Sequence, residues 1–188
     1  MNTVLTQYAS VLQKIYLYAY VQILWLLFTL AGLLIFGLFP ATYALLTVMK
    51  QQADTSAAAI FHTFREAYRD AFFVINKASI IWITMLLLMI TNLLILPDTQ
   101  QVLKLAVVSM ISFLLLCIVH FFNYFQADEH MTVQIKRSFA HACLHPKQNV
   151  GYACIFLMLG AALWLIPGIT CFFGVSIAAK AIIYLASK

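Results

Sequence analysis

The sequence predicts an all-α, polytopic transmembrane protein. Three observations carry that expectation: the share of apolar residues, the length of the apolar runs, and the position of the charges. Of 188 residues, 64% are hydrophobic and only 9% are charged, against about 45–50% and about 25% in an ordinary soluble domain. A soluble domain of this size has too little interior to bury so much apolar surface, so the excess must face lipid. The apolar residues gather in runs close to the roughly 20 residues needed to cross a hydrocarbon core about 30 Å thick. The charged residues fall mostly between those runs. The length fits a single integral membrane domain over 1–188.

The first run covers 15–39 and is followed by Pro40. Tyr16, Tyr18, Tyr20 and Trp25 lie in its early half, where they suit a headgroup interface. A short apolar stretch, 41–49, continues it up to Lys50. The second run is 78–96, stopped by Pro97-Asp98, and the third is 102–124. The fourth, 150–166, is stopped by Pro167-Gly168, and the fifth is 169–186. Lys14 comes late and the run after it is longer than a signal-peptide core, so the first run reads as a retained span. The pattern is one lone helix and two tight helical hairpins, about five spans in all.

The connections after spans one and three are long and basic. The first holds Lys50, Arg65, Arg69 and Lys77, and the second holds Lys136, Arg137 and Lys147. The positive-inside bias makes both cytoplasmic, with the N-terminus outside and the C-terminus inside a bacterial plasma membrane. Each connection also carries a helical period. Over 57–77, Phe61, Phe64, Tyr68, Ala71, Phe72 and Ile75 recur at three- and four-residue steps, opposite His62, Arg65, Glu66, Arg69, Asp70 and Asn76. Over 131–145, Met131, Ile135, Phe139 and Ala142 form a stripe opposite Gln134, Lys136, Arg137 and His141, with Pro146 as a stop. Two cytoplasmic amphipathic helices are expected there, resting on lipid and neighbouring spans or docking another protein. Phe64, Arg65, Tyr68, Arg69, Lys136 and Arg137 are the candidate partner-docking residues.

The two halves resemble each other. Gln52-Ala53-Asp54 has a counterpart in Gln126-Ala127-Asp128, Thr63-Phe64 with Ala67 in Ser138-Phe139 with Ala142, and Leu96-Pro97-Asp98 in Ile166-Pro167-Gly168. Three short matches in one order indicate a weak parallel internal repeat.

Catalytic patterns are absent. No GxSxG elbow, P-loop or H-E-x-x-H occurs, and no acid lies in the middle of a span, where ion-coupled transport would need one. An enzyme is not expected, and neither are catalytic residues, a cofactor or a metal. The basic balance of +5 is explained by headgroups and gives no reason to expect nucleic acid. Cys117, Cys143, Cys154 and Cys171 form no CxxC pair and read as buried free thiols behaving as small hydrophobes. His141 and His145 share a helical face at i,i+4, but Cys143 points away from it, so three-ligand capture would need an extended backbone. Within the spans the candidate polar residues are Gln22, Asn92, His120, Asn123 and Lys180. An intramembrane cation such as Lys180 is a functional candidate by default, although it can snorkel to the interface, as can Lys104. Interhelical hydrogen bonding is the plain account of His120 and Asn123.

The stretch Leu24-Trp25-Leu26-Leu27-Phe28, then Gly32, then Gly37-Leu38-Phe39-Pro40-Ala41-Thr42 resembles the N-terminal signature of the YesL family of small bacterial membrane proteins of unknown function. Phe64 with Tyr68, Asp128, His145-Pro146 and the ending Phe173-Gly174-Val175-Ser176 agree with it, in order. The near-absence of basic residues at the extreme N-terminus is a departure. The resemblance implies a Gram-positive bacterial source and an accessory role beside carbohydrate importers of the ATP-binding-cassette (ABC) type, through contact with their permease subunits. Membrane lipid is the other expected partner, and a homo-oligomer is compatible. The competing expectation is a self-contained small transporter or channel lined by the five polar span residues.

Overall fold

The computed structural model describes residues 2–51, 56–126 and 129–187. Among them lie seven α-helices and no strand: α1 (Asn2–Ala31), α2 (Ile35–Gln51), α3 (Ala57–Ile95), α4 (Gln101–Tyr124), α5 (Met131–Leu144), α6 (Pro146–Leu165) and α7 (Pro167–Ala186). The Val11–Ala31 part of α1, together with α3, α4, α6 and α7, gives five helices long and apolar enough to cross a membrane. Their outward faces are apolar: Leu87, Leu88 and Leu94 of α3, Leu105 of α4, and Leu157 and Trp164 of α6 are all exposed. Lipid is the solvent such faces require, and helices satisfy their own backbone within it. The chain is an all-α, multi-pass membrane protein.

The sequence places the first helix stop at Pro40. The chain instead breaks at Gly32–Leu34, and Pro40 lies inside α2. The break is a Schellman turn: the Leu34 N–H donates to the Thr29 carbonyl (2.9 Å) and the Leu33 N–H to the Leu30 carbonyl (3.0 Å). Leu33 and Leu34 take the left-handed backbone there, with φ of 57° and 63°. Glycine usually fills such a position, because an ordinary side chain costs about 1–3 kcal/mol in it. Here the glycines serve closeness. A Cβ on Gly32 would strike the Gly37 backbone and lie 2.7 Å from the Tyr68 hydroxyl, and one on Gly37 would lie 2.8 Å from the Phe28 carbonyl.

The first amphipathic segment and the second span, expected as 57–77 and 78–96, are one unbroken helix of 39 residues. Nothing in Asn76-Lys77-Ala78-Ser79 stops a helix, so the boundary read from hydropathy is a change of side chains without a change of backbone. The second amphipathic segment does end, at Leu144, and Pro146 opens α6 four residues before the expected start of the fourth span. Proline suits a first helical turn, where its missing N–H has no intrahelical role. Pro167 opens α7 the same way. The proposed repeat units therefore differ in their backbone: the first joins its amphipathic part to its span, and the second breaks at His145. Of the first repeat match, Gln52-Ala53-Asp54 and Ala127-Asp128 lie outside the described residues, as does the Asp128 of the family resemblance.

The chain divides into two compact units, 1–72 with 154–188, and 73–153. In the first, α1, α2 and α7 pack on one another. Their contact surface is built from Val21 and Leu24, from Ala41, Ala44 and Leu45, and from Ala178 and Ala179, all buried. Small residues bring helix backbones close where no hydrophobic force drives helices together. The Trp25 indole donates to the Thr42 hydroxyl (3.1 Å), tying α1 to α2. The Phe28 ring of α1 meets three rings from the first half of α3: Phe61 at 6.3 Å, Phe64 at 5.1 Å and Tyr68 at 4.9 Å between centroids.

In the second unit, Trp82 is fully buried, with Phe121 of α4 at 6.0 Å and Phe139 of α5 at 5.8 Å. α5 packs on α4. The α3–α4 hairpin carries an ion pair between Lys104 and Asp98, which holds the Asp98 carboxyl below its usual range.

Candidate functional site

The polar chemistry of the second unit converges where the last turn of α4 meets the end of α5 and the start of α6. His120 and Asn123 lie one turn apart on α4 and face α6. The His120 Nε2 is 2.8 Å from the Asn149 Oδ1, and the Asn123 amide is 3.4 Å from the Tyr152 hydroxyl. Asn149 also donates through its Nδ2 to the Ala142 carbonyl at 2.5 Å, an acceptor in the last turn of α5. That bond fixes the Asn149 oxygen as the acceptor toward His120. The His120 proton therefore resides on Nε2, and its buried Nδ1 is left with a lone pair and no partner.

Around His120 the rings gather. Its centroid is 6.0 Å from His141, 6.5 Å from His145 and 5.2 Å from Tyr152. Tyr124 stacks on His141 at 4.1 Å with planes 10° apart. His141 and His145 are 5.1 Å apart, as their i,i+4 spacing requires. Of the four thiols expected to be buried only Cys117 is; Cys143, Cys154 and Cys171 lie on outward helix faces and are exposed. Burial first, then His145, His120 and Arg137, hold His141 below the ordinary histidine value. Among the described residues, no three His, Cys, Asp or Glu side chains are placed to hold a metal ion.

The sequence singled out His120, Asn123, His141 and His145 but not what joins them. Asn149 and Tyr152 lie in the apolar run of the fourth span and its approach, where a polar residue every third position looks incidental. Gln134 was missed as well. The period places it on the exposed face of its helix, yet it is 2% exposed, and Gln134, Ser138 and Ala142 are the buried stripe. Its amide donates to the Gln126 and Glu129 carbonyls (2.8 and 2.9 Å), and its oxygen accepts from the Gln126 N–H (3.3 Å). The connection preceding α5 is thereby fastened to the helix.

The other polar span residues are separate. Gln22 is 1% exposed and serves α7 as a backbone partner: its Nε2 donates to the Cys171 carbonyl, and its Oε1 accepts from the Ser176 N–H, both at 3.0 Å. Lys180 donates to the Met49 carbonyl at the end of α2 (3.4 Å), where a helix terminus favours a cation. Asn92 is exposed and donates to the Leu88 carbonyl of its own helix (2.8 Å).

The six docking candidates divide. Phe64 is fully buried beneath Phe28, so it is part of the fold and is not a contact surface. Tyr68 is half-buried, and its hydroxyl donates to the Phe28 carbonyl (3.2 Å). Arg137 is half-buried and paired with Glu129 at 2.6 Å. Arg65, Arg69 and Lys136 are exposed, Arg69 lying 3.5 Å from Asp70.

Comparison with known proteins bears on residues in both halves. A family described as a protein of unknown function, DUF624, matches residues 18–93. The uncharacterized protein YesL of Bacillus subtilis (strain 168) is 45% identical over 56 residues, 27% of this chain. The match spans 27% of that relative's length. The uncharacterized protein YteU of the same organism is 29% identical over 171 residues, 85% of this chain and 74% of its own. No solved structure matches.

Proposed function

We propose that this chain, a YesL-like multi-pass membrane protein, is a non-enzymatic accessory or assembly subunit of an ABC-type carbohydrate uptake system and contacts the permease subunits. The observation that carries the reading is how the two amphipathic helices are used. Their buried sides are occupied within their own units, Phe64 of α3 lying against Phe28 and the Gln134, Ser138 and Ala142 stripe of α5 facing inward on a helix that packs on α4. Their exposed sides carry charge, Arg65, Arg69 and Lys136 among it, alongside Phe61, Val133 and Leu144. The α3 face mixes Arg65 and Arg69 with Glu66 and Asp70, and a face of both signs suits a charged protein partner, for which the resemblance to the YesL family supplies the kind. In this reading the chain sits in the plasma membrane with both long connections and the C-terminus cytoplasmic, and the N-terminus outside.

The separate partners of Gln22, Asn92 and Lys180 support an accessory role over a self-contained transporter, whose path would need those groups on one lining. The test is purification of the tagged chain from its native host in mild detergent. Stoichiometric recovery of importer permease subunits, reduced when Arg65 and Arg69 are both changed to Gln, is the expected result. Recovery of the chain alone, or only with copies of itself, would overturn the reading.

A further inference from the structure

We propose that His141, packed among His120, His145 and Tyr124, is an acid-sensitive latch, which holds α5 on α4 while its ring is neutral and releases it when that ring is protonated. The inference stands apart from the importer reading and concerns only how α5 is held.

The geometry makes the three rings one electrostatic unit. Their centroids lie 5.1–6.5 Å apart, well within the distance over which charges interact even through water and ions. His120 is fully buried, so a charge gained there is poorly solvated. The groups facing the cluster offer no compensating anion. They are Tyr124 from α4, Arg137 from α5 and Tyr152 from α6. Glu129 meets Arg137 through its Oε1 at 2.6 Å, while its buried Oε2 has no hydrogen-bond partner. A proton gained by His141 meets Arg137 and, with it, any charge on the neighbouring rings. Protonation also disturbs the hydrogen bonding, since the unpartnered Nδ1 of His120 would become a buried donor with nothing to receive it.

α5 is also the segment able to respond. It ends at a C-cap, His145, immediately before the proline that opens α6, so it can move without bending a span. The first half of α3 has no such joint, being continuous with the helix that follows.

The sign of the pH dependence follows from His141, which is held below its ordinary value when docked. A released ring binds its proton more tightly than a docked one. Docking is therefore complete above the ordinary histidine value of about 6.5 and is lost progressively as pH falls below it. A single ring that must stay neutral when docked, and titrates normally when released, shifts the opening equilibrium about tenfold between pH 7.5 and 5.5.

The test is hydrogen exchange with mass spectrometry on the full chain in lipid nanodiscs at those two pH values, corrected for the intrinsic exchange rate. Opening of 131–144 should rise about tenfold or more at pH 5.5, while 57–72 stays unchanged. In His141→Gln the rise should be reduced. His145→Gln, at the half-exposed rim of the cluster, should also reduce it and serves if the first variant does not fold. No change in 131–144 in the wild-type chain would overturn the proposal. So would an equal rise in 57–72, or a pH response undiminished in both glutamine variants.

Discussion

The first half of α3 and the whole of α5 alternate apolar and charged residues at the same spacing, yet the surfaces they bury differ in kind. In α3 the buried side is apolar and centred on a ring: Ile60, Phe64 and Ala71 are buried, Phe64 is covered by Phe28, and the half-buried Tyr68 also meets Phe28. In α5 it is largely polar, formed by Gln134 and Ser138 with Ala142 and bordered by His141. An aromatic seam is held by burial and ring contact, which are insensitive to protonation. A polar seam is held by hydrogen bonds that must all be satisfied, so it is specific and fragile. The lesson is that amphipathic period identifies which residues share a face, while the neighbour decides which face goes inside.

Phe64→Asp should have the largest effect. A carboxylate would replace a fully buried ring among other rings, and loss of the ring alone costs about 3–5 kcal/mol. Thermal unfolding in detergent should show the chain severely destabilised, and a wild-type Tm would place Phe64 outside the core. Next is Gln134→Leu, which keeps the volume but strips partners from the Gln126 N–H and from the Gln126 and Glu129 carbonyls. A loss of about 1–3 kcal/mol is expected, read as faster hydrogen exchange over 129–138 with no change over 57–72. An equal change in both segments would erase the distinction between the two seams. Tyr68→Phe keeps the aromatic contact and removes only the bond to the Phe28 carbonyl, for about 0.5–1.5 kcal/mol. The smallest effect on stability belongs to the double change of Arg65 and Arg69 to Gln, within about 0.5 kcal/mol of wild type because both side chains are exposed. A larger loss would mean that these arginines support the fold and are not simply presented outward.

Much of the fold was legible because apolar length and proline are blunt signals. The runs 102–124 and 169–186 became α4 and α7 within two residues at either end. The break after α1 was not legible, since two leucines adopt the left-handed turn while the glycines beside them serve the close approach of α2. Reading Pro40 as a stop is sound at most helix ends, and fails where contact outranks local preference. The continuity of α3 was hidden by a change in hydropathy at Lys77 that the backbone ignores.

Of the candidate site, the i,i+4 pairing of His141 and His145 and the one-turn pairing of His120 and Asn123 were visible in spacing. Their union was not, because it depends on Asn149, whose two amide ends join α4 to α5 across a distance of 29 residues in sequence on one side. Gln134 misled for a related reason. A polar residue on a helix is assigned to solvent by default, and only the course of the connection before α5 shows that its amide has backbone partners.

The central claim is that both amphipathic helices are held by their own chain and do not depend on lipid or a partner for their fold. Hydrogen exchange of the purified chain at neutral pH, in detergent and in lipid nanodiscs with no other protein present, tests it most directly. Protection of 57–72 and 131–144 in both environments, equal within each segment, is the predicted result. Rapid exchange of either segment in detergent, with protection appearing only when lipid or a partner is supplied, would contradict it.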